Sequence, residues 1–267
     1  MKCIDGHTHL TKEPDLDIET NLTDYDLGSI ARGYAERIAE DDVDHAVAIP
    51  LDNDLLRDQE SLNALFDVRD DSGNFSLVFL IDPLADDASA LVEKIDDIGS
   101  LGVKFHPYVQ RIGTPDHLPE IRSVMETVES RDLLTIIDCS YGGEHMYEVN
   151  GVKLGHTLAK TVDSPIVLAH GGGAKIHEAF LTADIFSNIY LDTSFSLPYW
   201  SGSSVEDDFA FAMEQMEMER WVWGSDRPFA SHDQSLQVVR ELLAEHGLTE
   251  YESALFYETM NDLLSGR

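Results

Sequence analysis

Cysteine is nearly absent from this chain: Cys3 and Cys139 are the only two in 267 residues. Two cysteines cannot build the framework of a disulfide-stapled secreted domain, so a reducing compartment is the simpler setting. Long apolar runs are missing as well. No uninterrupted stretch approaches the roughly 20 residues that a membrane-spanning helix requires, which predicts a soluble protein with no membrane partner. The first residues carry one lysine and then acidic side chains, without the basic n-region and apolar h-region of a secretory signal. The mature chain is therefore expected to begin near Met1 and to stay in the cytoplasm. Basic residues are scarce too: 18 Lys plus Arg stand against 51 Asp plus Glu, a formal net charge of -33. Such a chain repels nucleic acid, and no nucleic-acid partner is expected.

The acidic residues, as in "AEDDVD" and "IDPLADDAS", spread through the whole chain and interleave with apolar positions, unlike a disordered acidic tail. They describe a solvated surface over a core, and the 43% hydrophobic and 9% aromatic content is that of an ordinary globular protein. Self-repulsion at this charge weakens the compact state at low salt, and concentrated salt screens it. In this respect the chain resembles the cytoplasmic proteins of extreme halophiles.

Short Val/Ile/Leu-rich runs recur along the sequence: "HAVAIP" from His45, "FSLVFLI" from Phe75, "GVKF" from Gly102, "LLTII" from Leu133, "PIVLA" from Pro165, "NIYLD" from Asn188 and "WVWG" from Trp221. With a first strand beginning near Lys2, they make roughly eight. They are apolar on both faces, as parallel strands covered by helices must be. Between them, Ala31–Ala39, Leu55–Val68, Ala88–Ile98, Ile121–Val128, Leu154–Val162 and Leu236–Leu243 carry apolar residues at helical spacing. Strand then helix, repeated about eight times in this length, predicts a single (β/α)8 barrel. Residues 1–267 form one domain in this reading, closed by a C-terminal helix over "YESALFYETMNDLL".

A barrel collects its chemistry at the C-terminal ends of its strands, and polar residues stand there. His7 and His9 are one residue apart, so a strand would point both the same way. Lys104 and His106 follow "GVKF", Asp138 follows "LLTII", His170 follows "PIVLA", and Asp226 follows "WVWG". Each alone has an ordinary explanation: Asp138 or Asp226 as a helix N-cap, Lys104 as a rim charge, His106 as a packed ring. Together they converge on one rim.

The motifs "DGHTHL", "GVKFHP", "VLAHGGG" and "WGSDRP" resemble the amidohydrolase superfamily, in its amidohydrolase-2-like branch of hydrolases and decarboxylases. The resemblance implies His7, His9 and Asp226 as ligands of a divalent metal, zinc before manganese, with His170 beside it polarising substrate or water. At the end of the fifth strand this branch usually has histidine; here Asp138 stands instead, a carboxylate that can also bind zinc or manganese. Cys139 should face away from Asp138, while Glu144 or His145 could reach in from the next loop. Some relatives hydrolyse lactones without a metal.

An ion with an open position lowers the pKa of bound water from about 15.7 toward 7. Asp226 is then placed to shuttle the proton and His170 to stabilise the oxyanion. Lys104 and His106 suit a small anionic substrate, and Lys104 could alternatively be a carboxylated lysine bridging two metals. Phe195, Tyr199 and Trp200 could wall an apolar pocket, and "HGGGAK" reads as a turn into a helix. The expected activity is hydrolysis of a carboxylated lactone, amide or ester by metal-activated water. The alternatives are non-oxidative decarboxylation of an aromatic or unsaturated acid on the same site, a metal-free lactonase, or a barrel that only binds a metabolite. A homo-oligomer is compatible with all of them.

Overall fold

A computed structural model describes residues 2–11, 21–41, 43–142, 144–216 and 218–266. Eight parallel strands form one sheet in sequence order: β1 (Ile4–Leu10), β2 (His45–Pro50), β3 (Phe75–Leu80), β4 (Gly102–Phe105), β5 (Leu134–Ile137), β6 (Ile166–Leu168), β7 (Ile189–Asp192) and β8 (Trp221–Val222). The residues after β8 close the ring against β1. Gly6 N donates to Trp223 O at 2.9 Å, Asp226 N to His7 O at 2.8 Å and His9 N to Arg227 O at 2.8 Å. The expected (β/α)8 barrel is therefore what the chain forms.

The helices around it are α1 (Leu27–Glu40), α2 (Gln59–Ser72), α3 (Ala88–Asp97), the single turn α4 (Pro107–Gln110), α5 (Leu118–Ser130), α6 (Gly151–Leu158), α7 (Ile176–Ile185), the short α8 (Ser196–Trp200), α9 (Ser204–Gln215), α10 (His232–Glu245) and α11 (Thr259–Ser265). Side-chain caps start several of them earlier than their apolar stripes suggest. Asp26 accepts from Ser29 N before α1, and Asn150 from Lys153 N before α6. The expected helix Leu55–Val68 divides into a turn at Leu55–Arg57 and α2, because Asp58 caps the second piece through Glu60 N and Ser61 N. The C-terminal segment runs through a wide turn at Ala254–Glu258 into α11 and packs against β1 and β8, the closing helix expected from the sequence. Among the described residues no helix is long and apolar enough to cross a membrane.

Strand alternation divides the core in two. Val103, Phe105, Ile137, Leu168, Leu191, Trp221 and Trp223 point outward into the layer shared with the helices. Val47, Ile49, Val78, Leu134, Ile136, Val167 and Val222 point inward and fill the barrel. Each such fully buried aliphatic side chain stabilises the fold by roughly 1.5–3 kcal/mol. Continuing the inward phase upward along three strands gives Lys104, Asp138 and Asp192, so the apolar plug ends and a polar layer begins.

β1 breaks the simple alternation. Between Asp5 and Thr8 it advances three residues while β2 advances two, from Ala46 to Ala48. This bulge lets Ile4 join the interior cluster and still turns His7 and His9 inward, while Asp5 and Thr8 face the helices. The two histidines lie within the strand rather than beyond its end.

Candidate active site

His7 and His9 from β1, Lys104 from β4, His106 after it, Asp138 after β5, His170 after β6 and Asp226 after β8 meet at the top of the barrel. His7 Nδ1 donates to Asp192 Oδ2 at 2.8 Å, which leaves its Nε2 lone pair free to accept from Lys104 Nζ at 2.9 Å. His9 Nδ1 donates to the carbonyl of Ile49 at 3.2 Å and presents Nε2 to Asp226 Oδ1 at 3.0 Å. His170 Nδ1 lies 3.1 Å from the carbonyl of Ser194, and its Nε2 donates to Asp138 Oδ2 at 3.0 Å. Three imidazoles thus have Nδ1 placed against an oxygen and Nε2 turned into the barrel mouth, the way surrounding groups orient metal-binding histidines. His106 is different: its Nδ1 accepts from Val109 N, and its Nε2 lies 3.4 Å from Asp138 Oδ2.

Charge states follow from this packing. Burial and the neighbouring Lys104 ammonium lower His9 to about 4, against the pull of Asp226. Burial likewise lowers His106 to about 4, with Asp138 opposing. Burial also resists charging His170, yet Asp138, Asp226 and Asp192 override it and raise the imidazole to about 9. Burial would raise both carboxyls, but His106, His170 and Lys104 hold Asp138 well below the ordinary range, and His9 and His170 bring Asp226 down to about 2.

The backbone at the site is unusual. Of the six described non-glycine residues with positive φ, four line the pocket: Arg111, His170, Phe195 and Asp226. Such conformations persist where surrounding structure holds them and gather at functional sites. His170 opens a run of four left-handed residues through Gly173 that leads into α7, as expected of "HGGGAK". Gly224 lets the chain pass close by, since a Cβ there would sit 2.8 Å from that of His7 and 3.0 Å from that of Ser194.

One ligand atom from each of His7, His170 and Asp226 lies within 4.8 Å of the others, all three residues buried, and among the described residues no second group of this kind converges. His7 Nε2 and the Asp226 carboxylate are donors that zinc or manganese accepts, whereas His170 would first have to lose the Nε2 proton it gives to Asp138. Neutral His9 gives a further reason: with its proton on Nδ1, its Nε2 lone pair faces the Asp226 carboxylate, two acceptors that a cation between or beside them would reconcile. His9 stands next to the three-residue group, and Asp138 is drawn toward His170, His106 and Lys104 instead. Neither Asp138 nor Asp226 caps α10, whose cap is Ser231.

Above this layer opens a cavity of about 510 Å³ lined by His9, Leu51, His106, Tyr108, Val109, Arg111, Asp138, Ser140, Glu144, His145, His170, Phe195, Asp226 and Phe229. Glu144 and His145 do reach its edge. Phe195 walls it, whereas Tyr199 stacks on the far side of Phe195 and is 63% exposed, with Trp200 against Tyr199. Cys139 faces the outer layer and donates to Ile137 O at 3.3 Å. Asp192 was not among the residues expected here, although an aspartate closing "NIYLD" carries the strand-end signal that marked the others. It holds His7 through Oδ2 and accepts from His170 N at 2.7 Å and Ser194 N at 3.0 Å through Oδ1.

The amidohydrolase family model Amidohydro_2 matches residues 4–258, and the chain belongs to that family. No curated protein sequence matches it. Several solved structures share the fold over nearly their whole length. A probable 2-pyrone-4,6-dicarboxylic acid hydrolase from Acinetobacter baumannii, with citric acid bound, is 15% identical with a TM-score of 0.70, covering 99% of this chain and 100% of that one. An amidohydrolase from Burkholderia multivorans with bound zinc is 13% identical with a TM-score of 0.67, covering 99% of each chain. The 5-carboxyvanillate decarboxylase of Sphingomonas paucimobilis is 12% identical with a TM-score of 0.64, again over 99% of each.

Proposed function

We propose that this amidohydrolase-family barrel hydrolyses a small carboxylated lactone, amide or ester with a divalent metal, zinc or manganese, in its mouth. The observation that carries the proposal is the convergence of His7, His170 and Asp226, with His9 against Asp226, beneath an open cavity. His7 and Asp226 would hold the ion, with His9 beside Asp226 and Asp138 in reserve through His170. An ion there would acidify water toward a pKa near 7, which a carboxylate as weakly basic as Asp226 needs in order to act on it.

The chain's own groups have distinct tasks in this reading. Asp226 remains an anion across the working pH range, takes a proton from the attacking water and returns it to the leaving group. His170, protonated and paired with Asp138, donates toward the oxygen on which negative charge develops. Lys104 and His106 add donors on the same side, and Arg111 at the rim favours an anionic substrate that the bulk surface repels. Decarboxylation is the second reading, favoured by the flat apolar walls that Phe195, Phe229 and Leu51 offer an aromatic acid.

Product analysis decides between them. The purified protein, loaded with zinc or manganese, is given a panel of carboxylated lactones, amides and esters and a panel of aromatic acids. Hydrolysis of a lactone or ester releases one proton per turnover, read as base consumption at constant pH, and hydrolysis of an amide releases one amine, read by an amine-specific reagent, in either case with no carbon dioxide. Carbon dioxide release without a hydrolytic product would overturn the proposal.

A further inference from the structure

Behind the site, on the outward side of β1, lies a second set of charges, two of them fully buried, that the proposed chemistry does not use. His232, the first residue of α10, has no solvent exposure, and neither has Asp5. His232 Nδ1 stands 2.6 Å from Asp41 Oδ2, at the end of α1, and its Nε2 stands 3.0 Å from Asp5 Oδ2. The second contact is an ion pair off the hydrogen-bond axis, and neither of its atoms hydrogen-bonds elsewhere among the described residues. Arg227 Nη1 reaches the same Asp41 oxygen at 2.8 Å. Among the described residues the charged groups facing His232 are Asp5 from β1, Asp41 after α1 and, across Asp41, Arg227 from the segment after β8.

A neutral imidazole has one N–H and would turn a lone pair toward one of the two carboxylates; only the imidazolium suits both. With it, both carboxylates face a cation on the His232 ring, and Asp41 meets the Arg227 guanidinium as well. Burial opposes this protonation, and Asp5 and Asp41 overcome it and raise the pKa. The position is otherwise a poor one for a cation, because the first residue of a helix lies at the positive end of its dipole.

The other oxygen of Asp5 shows what the pair does for the site. Asp5 Oδ1 accepts from His7 N at 3.1 Å and from Ser225 N at 3.0 Å. One carboxylate therefore ties the bulged strand at His7 to the residue immediately before Asp226. We infer that His232 is a positioning residue which, by pairing with Asp5, fixes the spacing of His7 and Asp226 and so sets how tightly the site holds a divalent cation. The last clause rests on the metal site proposed above; the positioning of the two backbone segments does not.

Three measurements test it. In the first, zinc affinity is read by chelator competition in the wild type, His232→Gln and the double variant Asp5→Asn with His232→Gln. The single variant leaves Asp5 as an uncompensated buried anion and should bind zinc at least about tenfold more weakly, the usual scale for groups that orient ligands. Asparagine keeps the oxygen that both amides use and removes the charge, so the double variant should recover to within about threefold of wild type. In the second, amide exchange at His7 and Ser225 should quicken in the single variant and slow again in the double. In the third, nuclear magnetic resonance of the wild type should find His232 protonated at pH 7. Unchanged zinc affinity and exchange in His232→Gln, a double variant as weak as the single, or a neutral His232 in the wild type would each overturn the inference. If the wild type binds no zinc, the metal reading fails, and the exchange and protonation results still decide the role of His232. If His232→Gln does not fold, the double variant and the wild-type protonation state decide it.

Discussion

Replacing Asp226 by asparagine separates chemistry from architecture at this site. Asparagine has nearly the same shape, tolerates the left-handed conformation that Asp226 adopts at φ 61° as aspartate does, and leaves the Asp226 N to His7 O bond intact. What is lost is a buried negative charge 3.0 Å from His9 Nε2 and 3.6 Å from His7 Nε2. In the folded protein that carboxyl titrates at about 2 instead of the ordinary 3.8. A depressed carboxyl pKa contributes stability that is present above the unfolded value and disappears as pH falls from about 4 to about 2, so the contribution is complete at pH 7. Its size is about 2 kcal/mol, which for a chain of this length lowers the thermal midpoint by roughly 4–8 °C. Circular dichroism should therefore report a folded, modestly destabilised protein. Activity on any identified substrate should fall far more, by about 10² to 10⁴, because the variant can neither take nor return the proton. Near-normal turnover in Asp226→Asn would refute the assignment, and the acid at this position would then be architectural.

Removing both first-strand histidines, His7→Ala with His9→Ala, should give folded protein whose zinc content, measured by elemental analysis, drops from near one equivalent to a small fraction. His170, raised to about 9 by Asp138 and its neighbours against burial, contributes stability that is complete below about 6.5 and is lost as pH rises through 9. Urea unfolding at pH 6 and pH 10 should differ by about 3 kcal/mol more in the wild type than in His170→Gln. Raising KCl from about 0.1 to 2 M shortens the screening length from about 10 Å to below 3 Å and should raise the thermal midpoint markedly in a chain of charge -33; a flat midpoint would count against the halophile resemblance.

The strands were legible because each is a short apolar run and because inward positions alternate. That alternation alone carries Lys104 and Asp138 to the barrel mouth, and it would have carried Asp192 there too. The bulge in β1 was not legible, since it is a relation between two strands: only the pairing of Asp5 with Ala46 and of Thr8 with Ala48 reveals it. The extent of α7 beyond its expected start, and the whole of α9, were not legible for another reason. In "IHEAFLTADI" apolar residues lie on most sides, and in "SVEDDFAFAMEQ" the alternating "FAFAM" obscures the helical period. Contacts such as Lys104 with His7, 97 positions apart, depend on barrel closure and have no local signature.

The charge inventory at the barrel mouth joins these observations to the proposed chemistry. Asp138, Asp192 and Asp226 are held as anions, each kept below the ordinary carboxylate range by its bonds and contacts with the surrounding histidines. Against them stands His170, raised to about 9, while His9 and His106, both lowered to about 4, are neutral at pH 7. These carboxylates outnumber the protonated imidazoles in a low-dielectric setting, where charge has to be met by nearby partners. On the function proposed above, a divalent cation held by His7 and Asp226 would offset these carboxylates, and an acidic substrate would gain more from it than a neutral one, although the protein's surface as a whole repels anions.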